Sequence, residues 1–142
     1  METVSKGVRF FIDLAKVQAI TNRRFDNGLG GLGFNEFIIL YHLDRAEAGS
    51  MRRIDLAEAI GLTASGVTRI LLPMEKVGYV KRQANKDDAR SSLVLIAPGG
   101  KRRLEESLER AEFLADDLFS FYDTKEIHAL SDAFAKFSKI VK

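Results

Sequence analysis

Apolar positions along this chain recur with two different periods, and the change of period marks its elements. From Ser5 to Asp26, Val8, Phe11, Ile12, Ala15 and Ala19 return at three- and four-residue steps. Phe10, Leu14, Val17 and Phe25 form a second stripe, so the segment predicts a helix that meets more than one neighbour. Gly28-Leu29-Gly30-Gly31-Leu32-Gly33 breaks it with a flexible or sharply turned connection. Asn35 can cap a second helix through Phe37, Ile38, Leu40, Tyr41 and Leu43, apolar nearly all round and therefore central to the core. Asp44 to Ser50 is polar and predicts a loop, followed by a short strand at Met51-Arg52-Arg53 able to pair with a later hairpin.

Ile54 to Arg90 is the organising stretch. Asp55 can cap a short helix, Leu56 to Ile60, which Gly61 ends in a left-handed turn. Thr63 can cap a longer helix reaching Val77, with Val67, Ile70, Leu71 and Met74 on one face and Ser65, Thr68 and Arg69 on the other. Pro73 lies well inside that helix, where a lost donor and a ring clash predict a bend or an early end. Gly78 breaks into a strand over Tyr79 to Arg82; a polar tip with turn chemistry at Asn85 to Asp88 leads to an apolar strand, Leu93 to Ile96, closed by Ala97-Pro98-Gly99-Gly100. Helix, tight turn, helix and hairpin is the order of a winged helix-turn-helix, which sets one helix in a DNA groove with a loop beside it.

Two more helices follow. Lys101 to about Phe121 carries Leu104, Leu108, Ala111, Ala115, Leu118 and Tyr122 in near-heptad spacing, with an acidic opposite face. Asp123-Thr124-Lys125-Glu126 is a capping box, and Ile127, Leu130, Phe134, Phe137 and Val141 step by three and four into a narrow seam. The apolar stripes at the two ends exceed what the central module can cover, which predicts a homodimer through the terminal helices.

Composition changes this picture in three places. The net charge of +2 conceals eleven Lys and Arg against five Asp and Glu between residues 51 and 103, a basic middle between acidic flanks that suits one polyanion-binding face as well as it suits a solvated surface. Cysteine is absent, which excludes disulfides, thiolate metal sites and thiol redox sensing; with only His42 and His128, a metal site has little support and no cofactor is expected. No apolar run nears the roughly 18 residues of a membrane span, and Met1 to Lys6 lacks a signal-peptide core, so a soluble cytoplasmic chain is expected. The glycine cluster has no Lys-Ser/Thr after it and no strand before it, which argues against a phosphate loop, and no nucleophile–base pattern suggests an enzyme.

The run Asp55-Leu56-Ala57-Glu58-Ala59-Ile60-Gly61-Leu62-Thr63-Ala64-Ser65-Gly66-Val67-Thr68-Arg69, continued by Met74 to Arg82 and by Asp88-Ala89-Arg90 before Leu93-Val94-Leu95, resembles the MarR family of multiple-antibiotic-resistance-type regulators. The flanking helices fit that layout over nearly the whole chain. The resemblance implies a mainly helical fold with a small β-hairpin: a winged helix-turn-helix over residues 33–100 within a single domain of 1–142, with dimerisation helices at 1–32 and 101–142. It implies a dimeric transcription factor, a repressor, on a pseudo-palindromic operator in double-stranded DNA, in a family many of whose members respond to small phenolic or lipophilic effectors. Residue by residue it puts Ser65, Thr68 and Arg69 on the recognition helix and Arg90 at the wing, positioned by Asp88; Arg82 and Lys86 are the further cationic DNA contacts. Phe37, Tyr41 and His42, by position and residue type, are candidate liners of a small effector pocket; ordinary core packing is the competing reading of each. Ala97 stands where the family has a capping Thr. The alternative function is a winged-helix protein-interaction module that leaves DNA alone, against which the spaced pair Arg69 and Arg90 argues.

Overall fold

The structure, a computed structural model, describes residues 3–84, 86–87 and 92–141. Among the described residues, six α-helices and three strands follow one another as α1 (Lys6–Gly28), α2 (Phe34–Arg45), β1 (Ser50–Arg52), α3 (Arg53–Ile60), α4 (Ala64–Lys76), β2 (Val80–Ala84), β3 (Ser92–Ile96), α5 (Pro98–Leu118) and α6 (Thr124–Ile140), with a single 3-10 turn at Glu47–Gly49 before β1. The short strand expected before the helix pair is present. It makes the hairpin a three-stranded antiparallel sheet in the order β1-β3-β2, with Met51 and Arg82 both opposite Val94.

Local chemistry explains most of the boundaries. Ser5 Oγ accepts from the Val8 N–H at the start of α1, and at α6 Asp123 and Glu126 exchange hydrogen bonds as the capping box requires. Three expected starts lie elsewhere. The α2 cap is Gly33, not Asn35: its N–H donates to Glu36 Oε1 at 2.9 Å, while Asp26 Oδ1 accepts from the Phe34 N–H at 2.8 Å, so two carboxylates satisfy the helix end that Asn35 was expected to cap. Asp55 does not cap α3; the helix opens two residues earlier and Asp55 lies in its first turn, bound to Arg52. The long helix α5 begins at Pro98 rather than Lys101, with Ala97 at the cap position and no side-chain cap bond.

Leu29 and Leu32, the two leucines of the glycine cluster, are fully buried with Ile39, Leu40, Leu43, Leu56, Val67 and Met74. Gly30 and Gly31 have φ of 68° and 96°, and these left-handed turns let one short connection send both leucines inward. Helix α5 then runs across α1 and α2, tied by Arg24–Asp117 at 3.0 Å and Lys101–Asp44 at 3.7 Å, with Arg103 donating to the Gly30 carbonyl.

The first and last helices contrast with this centre. Neither α1 nor α6 contains a buried residue. Phe10, Phe11 and Phe137 form one ring cluster across the two, Phe10 to Phe137 at 5.6 Å, yet Phe11 stays 54% exposed and Phe134 47%. Among the described residues, no helix is long and apolar enough to cross a membrane.

Candidate nucleic-acid interface

Helices α3 and α4 make the two-helix unit that the sequence pattern predicts. Gly61 takes φ 74° at the end of α3, where the Leu62 N–H reaches the Ala57 carbonyl at 3.0 Å, and the chain turns sharply into Thr63. Thr63 Oγ1 accepts from the Gly66 N–H at 3.0 Å and starts α4. Removing that acceptor by Thr63→Ala is expected to cost about 1 kcal/mol in urea unfolding; an unchanged midpoint would mean water satisfies the Gly66 donor equally well.

Helix α4 buries Val67, Leu71 and Met74, which fixes its rotation and turns Ser65 and Arg69 outward. Pro73 neither ends the helix nor shortens it. The chain stays helical to Lys76, and the Val77 N–H still finds the Pro73 carbonyl at 3.1 Å. The ring is exposed, and so is Arg69, whose carbonyl loses its donor, so the proline sits on the solvent side of the helix.

The predicted contact residues separate into distinct situations. Arg69 is exposed with no side-chain partner among the described residues. Ser65 is exposed, its hydroxyl 3.2 Å from that of Thr63. Thr68 is half-buried: its hydroxyl donates to the Ala64 carbonyl at 3.0 Å and accepts from Arg53 Nη1 at 3.0 Å. Arg82 lies on β2 with Nε 3.1 Å from Glu75 Oε2, tying the base of the wing to α4. Lys86 is exposed at the hairpin tip. Arg90 and Asp88 lie outside the described residues.

The proposed effector contacts fall on α2. Phe37 is half-buried and stacked on Phe34 at 6.4 Å; Tyr41 is exposed, edge-on to His42 at 5.3 Å, with the Arg45 guanidinium 5.4 Å from its ring centre. Partial burial lowers the pKa of the His42 imidazole from its ordinary value. A groove of about 320 Å³ opens nearby between Asp26, Gly33, Asn35 and Glu36 on one side and Ile70 and Pro73 of α4 on the other; none of the three aromatic candidates lines it.

Arg53 is the residue that sequence reading passed over. The run Met51-Arg52-Arg53 predicts a strand, which gives the Arg53 side chain no defined neighbour. Arg53 opens α3 instead and reaches α4. The available signal was Asp55: a carboxylate three residues after Arg52 fits a helix first turn beginning at Arg53 as well as it fits a cap.

Residues 34–92 match the family model described as MarR family. Over 134 residues the chain is 28% identical to the uncharacterized HTH-type transcriptional regulator YdgJ of Bacillus subtilis strain 168, covering 93% of this chain and 79% of that one. Its fold is similar to that of the transcriptional regulator BldR from Sulfolobus solfataricus, with a TM-score of 0.87, 24% identity and coverage of 99% and 100% of the two chains. It is also similar to that of Sco3205, a MarR family transcriptional regulator from Streptomyces coelicolor in complex with DNA, with a TM-score of 0.84, 16% identity and coverage of 100% and 92%.

Proposed function

We propose that the chain is a transcriptional regulator of the MarR family, whose model matches residues 34–92, and that it acts as a homodimeric repressor on a pseudo-palindromic operator. The observation that carries the proposal is the outer face of α4, where Arg69 stands exposed without a protein partner among the described residues, on a helix whose rotation is locked by three buried side chains. The Sco3205 complex shows that a protein of this fold has been captured on DNA. Two copies joined through α1 and α6 (residues 1–32 and 101–142 as the pairing parts, 33–100 as the reading module) would present two such helices about one DNA turn apart, roughly 34 Å. Exposed apolar side chains on both helices support that arrangement.

Arg69 would pair with guanine in the major groove, Ser65 would approach the neighbouring backbone, and Lys86 with Arg90, the latter held by Asp88, would serve the wing. A small lipophilic or aromatic effector would meet Phe37, Tyr41 and His42; the exposed Tyr41 ring, edge-on to His42, supports it. The test is selection of bound sites from random duplex DNA, followed by titration of Arg69→Ala on the selected operator. Wild type is expected to enrich an inverted repeat. Arg69→Ala is expected to lose about 1–3 kcal/mol of discrimination at one base pair per half-site. No enriched sequence, or unchanged preference in the variant, would overturn the reading.

A further inference from the structure

We propose that Arg53, outside the recognition helix, is a DNA-phosphate contact and that Thr68 is its positioning residue; the proposal rests on the DNA-binding reading above. The argument starts from how the arginines of the module are partnered. Arg52 is gripped by Asp55 through two bonds, at 2.9 and 3.0 Å, and Arg82 by Glu75 at 3.1 Å. Each pair orients a guanidinium and also neutralises it. Arg53 is treated differently. Its one side-chain partner among the described residues is the neutral hydroxyl of Thr68, fifteen residues away on α4, and it makes no ion pair with a described carboxylate.

A hydroxyl partner orients without cancelling charge. The guanidinium keeps its full positive charge and most of its five N–H donors, in a fork that matches two phosphate oxygens. Thr68 is itself fixed, because its proton is committed to the Ala64 carbonyl at 3.0 Å, so the lone pair offered to Arg53 has a set direction. The hydroxyl therefore has no proton left for a base edge, which reassigns Thr68 from reader to support.

Location supplies the ligand. Arg53 lines a shallow notch with Thr68 and Glu75 of α4, Arg82 of β2 and Ser92 of β3, at the junction of the recognition helix and the root of the wing. With α4 in the major groove and the wing beside it, the sugar-phosphate strand between the two grooves passes over this junction. Glu75 at the same place is occupied by Arg82, which leaves Arg53 available to an external anion.

The test uses the full-length chain on its selected operator, with affinity measured at several salt concentrations for wild type, Arg53→Gln, Thr68→Val, Thr68→Ser and the Arg53→Gln/Thr68→Val double variant, alongside thermal melts. Arg53→Gln is expected to weaken binding roughly tenfold per bound copy, the loss of one charge-assisted bond. It should also flatten the plot of log affinity against log salt by about 0.9 per copy, with base preference unchanged. Thr68→Val should move affinity and slope the same way, Thr68→Ser should restore both, and the double variant should match Arg53→Gln alone. An unaltered slope in Arg53→Gln overturns the phosphate contact. A changed base preference without a slope change makes Arg53 a base reader and overturns it too. Additive losses in the double variant give Thr68 its own DNA contact and overturn the positioning role; if Thr68→Val fails to fold, wild-type slope in Arg53→Gln still decides. Wild type that selects no sequence defeats the operator reading, and a phosphate contact then survives only if non-specific binding shows the same slope difference.

Discussion

Gly100→Ala is expected to lower stability by about 3 kcal/mol or more, at or beyond the upper end of ordinary overpacking. A Cβ built on Gly100 would stand 2.1 Å from the Tyr79 carbonyl oxygen, 3.0 Å from its carbonyl carbon and 3.1 Å from Leu40 Cδ2. The carbonyl cannot easily move aside, because it accepts from the Ala97 N–H at 2.9 Å and the next residue, Val80, is buried in the sheet. The contact is where the start of α5 crosses the entrance to β2, so the same residue couples the long helix to the wing. Against a typical domain stability of roughly 5–15 kcal/mol, the loss is large enough to see in any denaturant melt. The urea midpoint should fall with an unchanged m-value. A midpoint within experimental error of wild type would mean that the crossing opens without cost and that α5 is not docked as described.

The largest functional effect is expected from charges placed in the seam of α6. Leu130 is 40% exposed and Phe134 47% in the single chain, and no residue of α6 is buried, so Leu130→Glu/Phe134→Glu removes little from the core. If α6 pairs two copies, four carboxylates then face one another across an apolar interface, at a cost the interface cannot meet. Wild type should sediment near twice 15.9 kDa at micromolar concentration and the variant near 15.9 kDa. Operator affinity should fall by about 10²–10⁴, the advantage that linking two half-site contacts confers. A variant that remains dimeric would place the interface elsewhere; a monomeric wild type that still binds an inverted repeat tightly would remove the dimer from the mechanism.

The partnering of arginines on the reading module bears on how such variants should be interpreted. Arg82 is held by Glu75, so its loss removes a tie between β2 and α4 as well as a charge. Arg69 has no such tie among the described residues, so its replacement breaks no described side-chain contact.

Much of this fold was legible in the chain because the forces that make it are local. Ser5, Thr63 and Asp123 cap helices through bonds to residues three positions on, and Gly61 ends α3 by its own φ. The row Val67, Leu71, Met74 sets the rotation of α4 by periodicity, and with it the outward direction of Arg69. Pairing of β2 with β3 follows from two strand-like runs around a polar tip. Those signals need only neighbours within one turn or one hairpin, and each placed its element to within a few residues.

The tertiary structure decided what depends on distant atoms. Pro98-Gly99-Gly100 has the chemistry of a turn, yet it is helix, because α5 must pass so close to Tyr79 that only glycine fits. The glycine cluster after α1 carries two core leucines, a fact of where α2 and α5 lie and not of the cluster's own pattern. Pro73 is tolerated because its side of α4 faces outward. Arg53 and Thr68 meet across fifteen positions, since the turn at Gly61 folds α3 back against α4. A residue pattern encodes which face of an element is apolar; which two faces then meet, and which polar side chains they carry into contact, is set by packing the elements together at close to crystal density.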